Sequence, residues 1–264
     1  MAIQKRAFTL SEVLITMAVI GIISVLTIPQ MVSNTNKSTI GAAVARGVEA
    51  VETGVANIFS VASKRAAGSS DIYNSIASLQ VKDIITGIAN SGNYLTNGTT
   101  LFSVTQGIMG SKEIQNKSNY LSKIKGYTGS STALSASERS NAFPVKIGKN
   151  KAIIIQSPMS DNQITTYLNS HPEFSDIPTD LVIGKIYIDG NGEDNPNRLG
   201  YDVFLFGITN SGKLVPAGSQ AYNNNIFNET VPLYTNSCSG TNVTEAKSCS
   251  ARLIKDNWKI TYMN

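Results

Sequence analysis

Sixteen consecutive residues, Val13 to Ile28, carry no ionisable group, and they begin almost at the start of the chain. Counted from Phe8 the apolar stretch is twenty-one residues, close to the ~20 that an α-helix needs to cross ~30 Å of hydrocarbon. Lys5 and Arg6 stand directly before it. Two positive charges there would hold the N-terminus in the cytoplasm and send the rest of the chain outward. A cleaved secretory signal would need a small-x-small site after the run, and Thr27 to Ser33 offers a poor one. A buried core helix would not place two bases immediately before an uninterrupted apolar stretch. A retained membrane helix fits best.

Glu12 is the one charged residue between Phe8 and Asn36. A carboxylate inside a span costs about 3 kcal/mol near the centre and less near an end. It is either a headgroup-level acid that snorkels, or an acid with a partner. The leader suggests a partner: were the chain cut after Ala7, the new α-amino group of Phe8 would sit at the same depth.

Lys5-Arg6-Ala7, then Phe8-Thr9-Leu10-Ser11-Glu12, then an apolar helix, resembles the class III signal of type IV pilins and type II secretion pseudopilins. The resemblance covers about residues 5–32. It implies that prepilin peptidase cuts between Ala7 and Phe8, that Phe8 becomes N-methylated, and that Glu12, fifth in the mature chain, acts in assembly. The residue before the cut is usually Gly in that family and is Ala7 here, still a small side chain. Pro29 falls where those proteins often carry a helix-bending proline. It also implies homologous subunits and an inner-membrane assembly platform as partners. Removing Glu12, as Glu12→Ala or Glu12→Val, is then expected to spare insertion and block incorporation into a filament, because one unpaired buried charge costs more than the pair gains.

Beyond the span, Pro29 lacks the amide that would bond the Val25 carbonyl, which predicts a bend or local melting. Val44, Val48, Val51, Val55, Ile58 and Ala62 then recur at spacings of four and three, one apolar stripe of an amphipathic helix, with Arg46, Glu49 and Glu52 off it. A coiled-coil seam is the other reading of so short a repeat. A helix from Phe8 to Ser63 would extend roughly 80 Å, although Gly41, Gly47 and Gly54 would weaken it. The expected layout is a leader over 1–7, a transmembrane helix over 8–29, its amphipathic continuation over 30–66, and a periplasmic or extracellular globular domain over 67–264.

In that domain, Asp71 could cap a second helix carrying Ile72, Ile76, Leu79, Ile84 and Ile88. From Asn90 to Asn141 the Gly, Ser, Thr and Asn content predicts loops and short helices on a surface. Strand signals follow: Phe143–Ile147 and Ala152–Ile155 around a turn, then Val182–Ile188, Tyr201–Phe206 and Lys213–Val215. Short connections favour an antiparallel sheet. A helix first and a sheet later predicts an α+β fold, in agreement with the pilin resemblance: a long N-terminal helix packed on an antiparallel sheet.

Asp189, Asn191, Glu193 and Asn195 place side-chain oxygens at alternate positions, with Asp202 shortly after. Such a loop can wrap a hard cation such as Ca²⁺, or it can be an Asn/Asp/Gly turn capping its own backbone. It departs from the EF-hand pattern at its sixth position, Asp194, and its twelfth, Gly200. Several secretion pseudopilins bind Ca²⁺ in a comparable loop. Cys238 and Cys249 are the only cysteines and enclose ten residues; outside the cytoplasmic membrane a disulfide is the favoured reading, with two buried thiols the alternative. Trp258 reads as packing.

Catalysis finds little support. His171 is the sole histidine, and there is no nucleophile elbow, His-Glu-x-x-His or phosphate loop. A formal charge of +4 is too weak for a nucleic-acid binder, and cleavage before Phe8 would halve it by removing Lys5 and Arg6. The expectation is a non-enzymatic filament subunit: a pseudopilin, or, since the chain is long for a major pilin, a minor one. A singly anchored surface-binding protein or adhesin that never polymerises is the alternative.

Overall fold

The computed structural model describes residues 9–66, 112–147 except 115, 130 and 131, 153–158, a few positions between 166 and 173, and 180–262 except 210–212, 225–230, 234–237 and 239–242. The leader, the Ala7–Phe8 junction, the helix expected after Asp71, and His171 lie outside them.

Helix α1 runs from Leu10 to Ala66, 57 residues, or about 85 Å at 1.5 Å per residue. It continues through Pro29 without interruption, so the local melting that was one of the two expectations there does not occur. The carbonyl of Val25 loses its amide donor, but that is one bond in a long ladder. The two halves of α1 differ in what surrounds them. From Leu10 to Val32 the large apolar side chains are exposed, for example Leu14 at 59% and Leu26 at 67%. From Ile40 to Gly54 one face is buried.

Of the predicted stripe, Val44 and Val51 lie on that face, while the side chains of Val55, Ile58 and Ala62 lie outside the described residues. The face consists of Ile40, Gly41, Ala43, Val44, Gly47, Ala50, Val51 and Gly54, while Val48 is only half-buried. Two of the three glycines expected to weaken the helix, Gly41 and Gly47, are contact points. A Cβ on Gly41 would lie 1.9 Å from the Trp258 carbonyl oxygen, and one on Gly47 would lie 2.6 Å from Ile188 Cγ2. Close approach of the backbone outweighs the roughly 1 kcal/mol of helix propensity lost at each glycine.

Among the described residues the sheet is a six-stranded antiparallel meander in the order of the sequence. Strand β1 is Lys112–Glu113, β2 Phe143–Lys146, β3 Ile153–Pro158, β4 Val182–Asp189, β5 Val203–Thr209 and β6 Leu214–Pro216. The expected hairpin is β2–β3, with Val145 opposite Ile154. Strand β5 starts two residues later than expected because Tyr201 and Asp202 belong to the turn before it.

Every residue of β5 is buried, which alternation against a single covering layer cannot produce. Helix α1 covers one face of the sheet. On the other face Tyr187, Val203 and Leu205 pack with Tyr120, Leu121, Ile124, Ala133, Leu134, Tyr222 and Ala246. Tyr120 and Leu121 come from helix α2 (Lys117–Lys123), and helix α3 (Ala136–Asn141) follows. Asn90–Asn141 was expected as loops and short helices at a surface; in its described part the short helices form, but Tyr120, Leu121, Ile124, Ala133 and Leu134 are buried in a second layer, because a strand apolar on both sides needs cover on both. Helices α4 (Gln220–Asn224) and α5 (Val243–Lys247) add Tyr222 and Ala246 to that layer, and helix α6 (Cys249–Lys255) follows with Leu253 buried.

Two polar contacts tie the layers together. The amide of Leu214 in β6 donates to Glu52 Oε1 of α1 at 2.9 Å. On the opposite side, Glu138 forms a capping box with Ser135 at the start of α3. Its Oε1 also accepts from Lys185 Nζ at 3.1 Å and Tyr187 Oη at 2.9 Å. Burial pushes the Glu138 carboxyl up, but the Lys185 ammonium and the Ser135 bonds outweigh it and hold it at about 2. A depressed carboxylate contributes stability above its ordinary value near 4.5, and that contribution is lost as pH falls toward 2. Glu138→Gln is therefore expected to remove part of the melting-temperature loss between those two pH values. A thermal-melt series over that range checks it.

Candidate functional site

Two regions carry the chemistry anticipated in the sequence. The first is the start of α1. Thr9 and Glu12 form a reciprocal cap: Glu12 Oε2 accepts from the Thr9 amide at 2.8 Å and the Thr9 hydroxyl at 2.9 Å, and the Glu12 amide donates to Thr9 Oγ1 at 3.3 Å. Threonine three residues before glutamate is the pattern that satisfies orphan amides at a helix N-terminus. The carboxylate therefore has a local hydrogen-bond partner, Thr9, which the sequence reading overlooked although the spacing displays it.

The second region is the turn from Asp189 to Asp202, which joins the buried strands β4 and β5. Asp189 and Asp202 are both fully buried. Asp189 Oδ1 accepts from the amides of Asn191 at 3.1 Å and Gly192 at 2.8 Å, and its Oδ2 accepts from Tyr120 Oη at 2.7 Å. Asp202 Oδ2 accepts from the Asn197 amide at 2.8 Å, and its Oδ1 from that of Arg198. Burial, then the charge of Asp202, pushes the Asp189 carboxyl well up against its hydrogen bonds. Burial raises Asp202 to about 6, opposed by the amides of Arg198 and Asn197.

Glu193 and Asn195 do not join this cluster; both are exposed. The alternation assumed an extended loop, whereas the chain turns at Gly192 (φ 70°) and again at Asn197 (φ 46°). The inward side chains are instead those of Asp189, Asn191, Asn197 and Asp202, with the Asn197 amide nitrogen turned toward Asp189 Oδ2 and the carbonyls of Gly192 and Asp194. Asn197 was missed because it breaks the alternate spacing. Among the described residues no three His, Cys, Asp or Glu side chains gather as a metal site, so a cation here would be held by two carboxylates supplemented with amides and carbonyls. Asn191 Oδ1 is buried without a hydrogen-bond partner.

The loop is gripped from three sides. Gly190 abuts Ile40 and Val44 of α1, and a Cβ on Gly200 would meet Cys249 Sγ at 2.8 Å. Lys125 exchanges backbone hydrogen bonds of 2.9 Å with Asn197 and Leu199. Cys238 and Cys249 are at disulfide distance, with Cα atoms 4.9 Å apart. The half-buried Trp258 meets α1 through its backbone carbonyl.

A long helix, bare along its apolar first half and docked along its second on an antiparallel sheet, is the α+β architecture of pilin-like proteins. Its bare segment is the one described helix long and apolar enough to cross a membrane. Residues 4–28 match the family model of the prokaryotic N-terminal methylation motif. That motif, the class III signal, supports a pilin-like or pseudopilin precursor processed by prepilin peptidase and associated with a membrane. No curated protein and no solved structure matches the chain.

Proposed function

We propose that this protein is a filament-forming subunit, a type II secretion pseudopilin or a minor type IV pilin, and that its work is polymerisation and partner contact rather than catalysis. In this reading prepilin peptidase cuts between Ala7 and Phe8 and Phe8 is N-methylated. The helix spans the cytoplasmic membrane with its N-terminus inside, and the sheet domain lies in the periplasm or outside the cell. Homologous subunits and the inner-membrane assembly platform are the partners.

The observation that carries the reading is the methylation motif placed on a helix whose apolar half is exposed from Leu10 to Val32. Lipid can cover such a face before assembly, and neighbouring helices can cover it afterwards. The N-terminus of the membrane-extracted protein decides between the readings. A chain beginning at N-methylated Phe8 is expected, in sheared filaments as well as in the membrane. An intact Met1, confined to the membrane, would instead indicate the singly anchored adhesin.

A further inference from the structure

We propose that the cleft between α1 and the turn joining β4 to β5 holds one phospholipid of the adjoining leaflet, with a singly charged phosphodiester at Lys37. The proposal rests on the reading of α1 as a membrane span and is independent of polymerisation.

The cleft encloses about 1090 Å³. Sites for small molecules occupy about 300–1,000 Å³, so a headgroup and the first part of its chains find room. One wall is α1 from Ile28 to Arg46, about 27 Å of helix. The other is the turn, through Asp194, Asn195, Pro196 and Tyr201. Gly190 of the same turn abuts Ile40 and Val44, which fixes the turn's position over the helix and leaves the cleft formed before any ligand enters.

Polarity changes along the helical wall. Ile28, Pro29 and Val32 line its membrane end, and Ser33, Asn36 and Lys37 follow. The exposed apolar side chains of α1 end at Val32, and Lys37 lies five residues, about 8 Å, further on. The headgroup layer of a bilayer is about 5–8 Å deep on each side, so Lys37 stands at the level of the phosphates. Side chains tilt toward the N-terminus of their helix, which leans Arg46 back toward the same level.

Lys37, Arg46 and Asp194 are the ionisable side chains at the cleft whose charges count at neutral pH. Two bases against one acid leave one positive charge, the complement of one phosphodiester. Basic side chains at a membrane surface lay their stems on apolar groups and hold anionic headgroups with their tips. Asn36, Asn195 and Tyr201 can hydrogen-bond the uncharged remainder of a headgroup. The helix of a neighbouring copy would suit Ile28 and Val32, but from Val13 to Ile28 it carries no charge to meet Lys37 and Arg46. A phospholipid brings apolar chains and an anion together, in the order in which the cleft presents their partners. A subunit drawn out of the bilayer must release this lipid or take it along.

The test melts the full chain in uncharged detergent micelles during a titration with phosphatidylglycerol. Phosphatidylcholine is the neutral comparison and glycerol 3-phosphate the free headgroup. A saturable rise in melting temperature is expected with phosphatidylglycerol, at least about fivefold weaker binding with phosphatidylcholine, and no rise with the free ester. Lys37→Gln is expected to weaken phosphatidylglycerol by about fivefold, the share of one basic side chain at a lipid surface, and Lys37→Arg to restore it. Ser33→Trp fills the cleft from an exposed position; it is expected to melt as wild type does without lipid and to lose the saturable rise. Equal responses to the two lipids, or a full response to the free ester, overturn the proposal. So does an unchanged titration in Ser33→Trp, which would place the lipid elsewhere along the bare helix. Sedimentation with phosphatidylcholine vesicles reads the span separately: a chain that stays in the supernatant overturns the membrane reading, and the proposal with it.

Discussion

Glu12→Val is expected to leave the protein in the membrane and to remove it from filaments altogether. Insertion depends on the apolar length of α1, which the substitution extends. Loss of the Thr9 cap costs only about 1 kcal/mol at one helix end. Assembly is different. In the proposed filament the α-amino group of a neighbour's Phe8 lies at the depth of Glu12, and neither charge has water to solvate it. Removing the carboxylate strands the amine, and breaking such a buried pair costs about 3–5 kcal/mol per subunit. Glu12→Gln separates the two duties of the residue, because it can still accept from Thr9 but carries no charge. Fractionation of membrane against sheared filaments reads both variants. Assembly of either at wild-type levels would show that the charge is not required.

Gly41→Leu should undo the docking of α1 on its own domain. The added Cβ would sit 1.9 Å from a main-chain oxygen of Trp258, a contact that no rotamer relieves because backbone is on both sides. Overpacking of this kind costs about 3 kcal/mol, or roughly 10 °C of melting temperature for a domain this size. Gly21→Ala is the control. It lies in the bare half of the same helix with nothing within 4 Å of its Cβ position, so it should melt as wild type does. Equal melting of the two variants would mean that the glycine contact does not hold the layers together.

The N-terminal signal was legible because it is local: two bases, a small residue and an acid at a fixed offset from an apolar run need no tertiary context. The sheet was legible for a similar reason, since alternation and short turns specify neighbouring antiparallel strands one pair at a time. Positions where two distant segments meet were misread. Gly41 and Gly47 looked like helix defects because their partners, Trp258 and Ile188, lie far along the chain. Tyr120 and Leu121 sit in a polar stretch, and only the second apolar face of β5 gives them a reason to be buried. In the Asp189–Asp202 loop composition announced a polar cluster, but which oxygens turn inward depends on backbone turns that alternate spacing does not encode. Glu193 and Asn195 accordingly point out while Asn197 points in.

The contact between Glu52 and β6 has a bearing on how such a protein can polymerise. Strand β6 lies at the edge of the sheet among the described residues. The Lys213 carbonyl and the Ala217 amide bond to β5, so by alternation Leu214 and Pro216 face outward. The Leu214 amide is taken by Glu52, and Pro216 has no amide to offer. The outer rim of β6 thus presents no hydrogen-bond donor to a visiting strand, the device by which sheet proteins avoid edge-to-edge aggregation. In the proposed filament this strand edge is closed to a neighbouring copy, and the bare half of α1 is the apolar face offered to one.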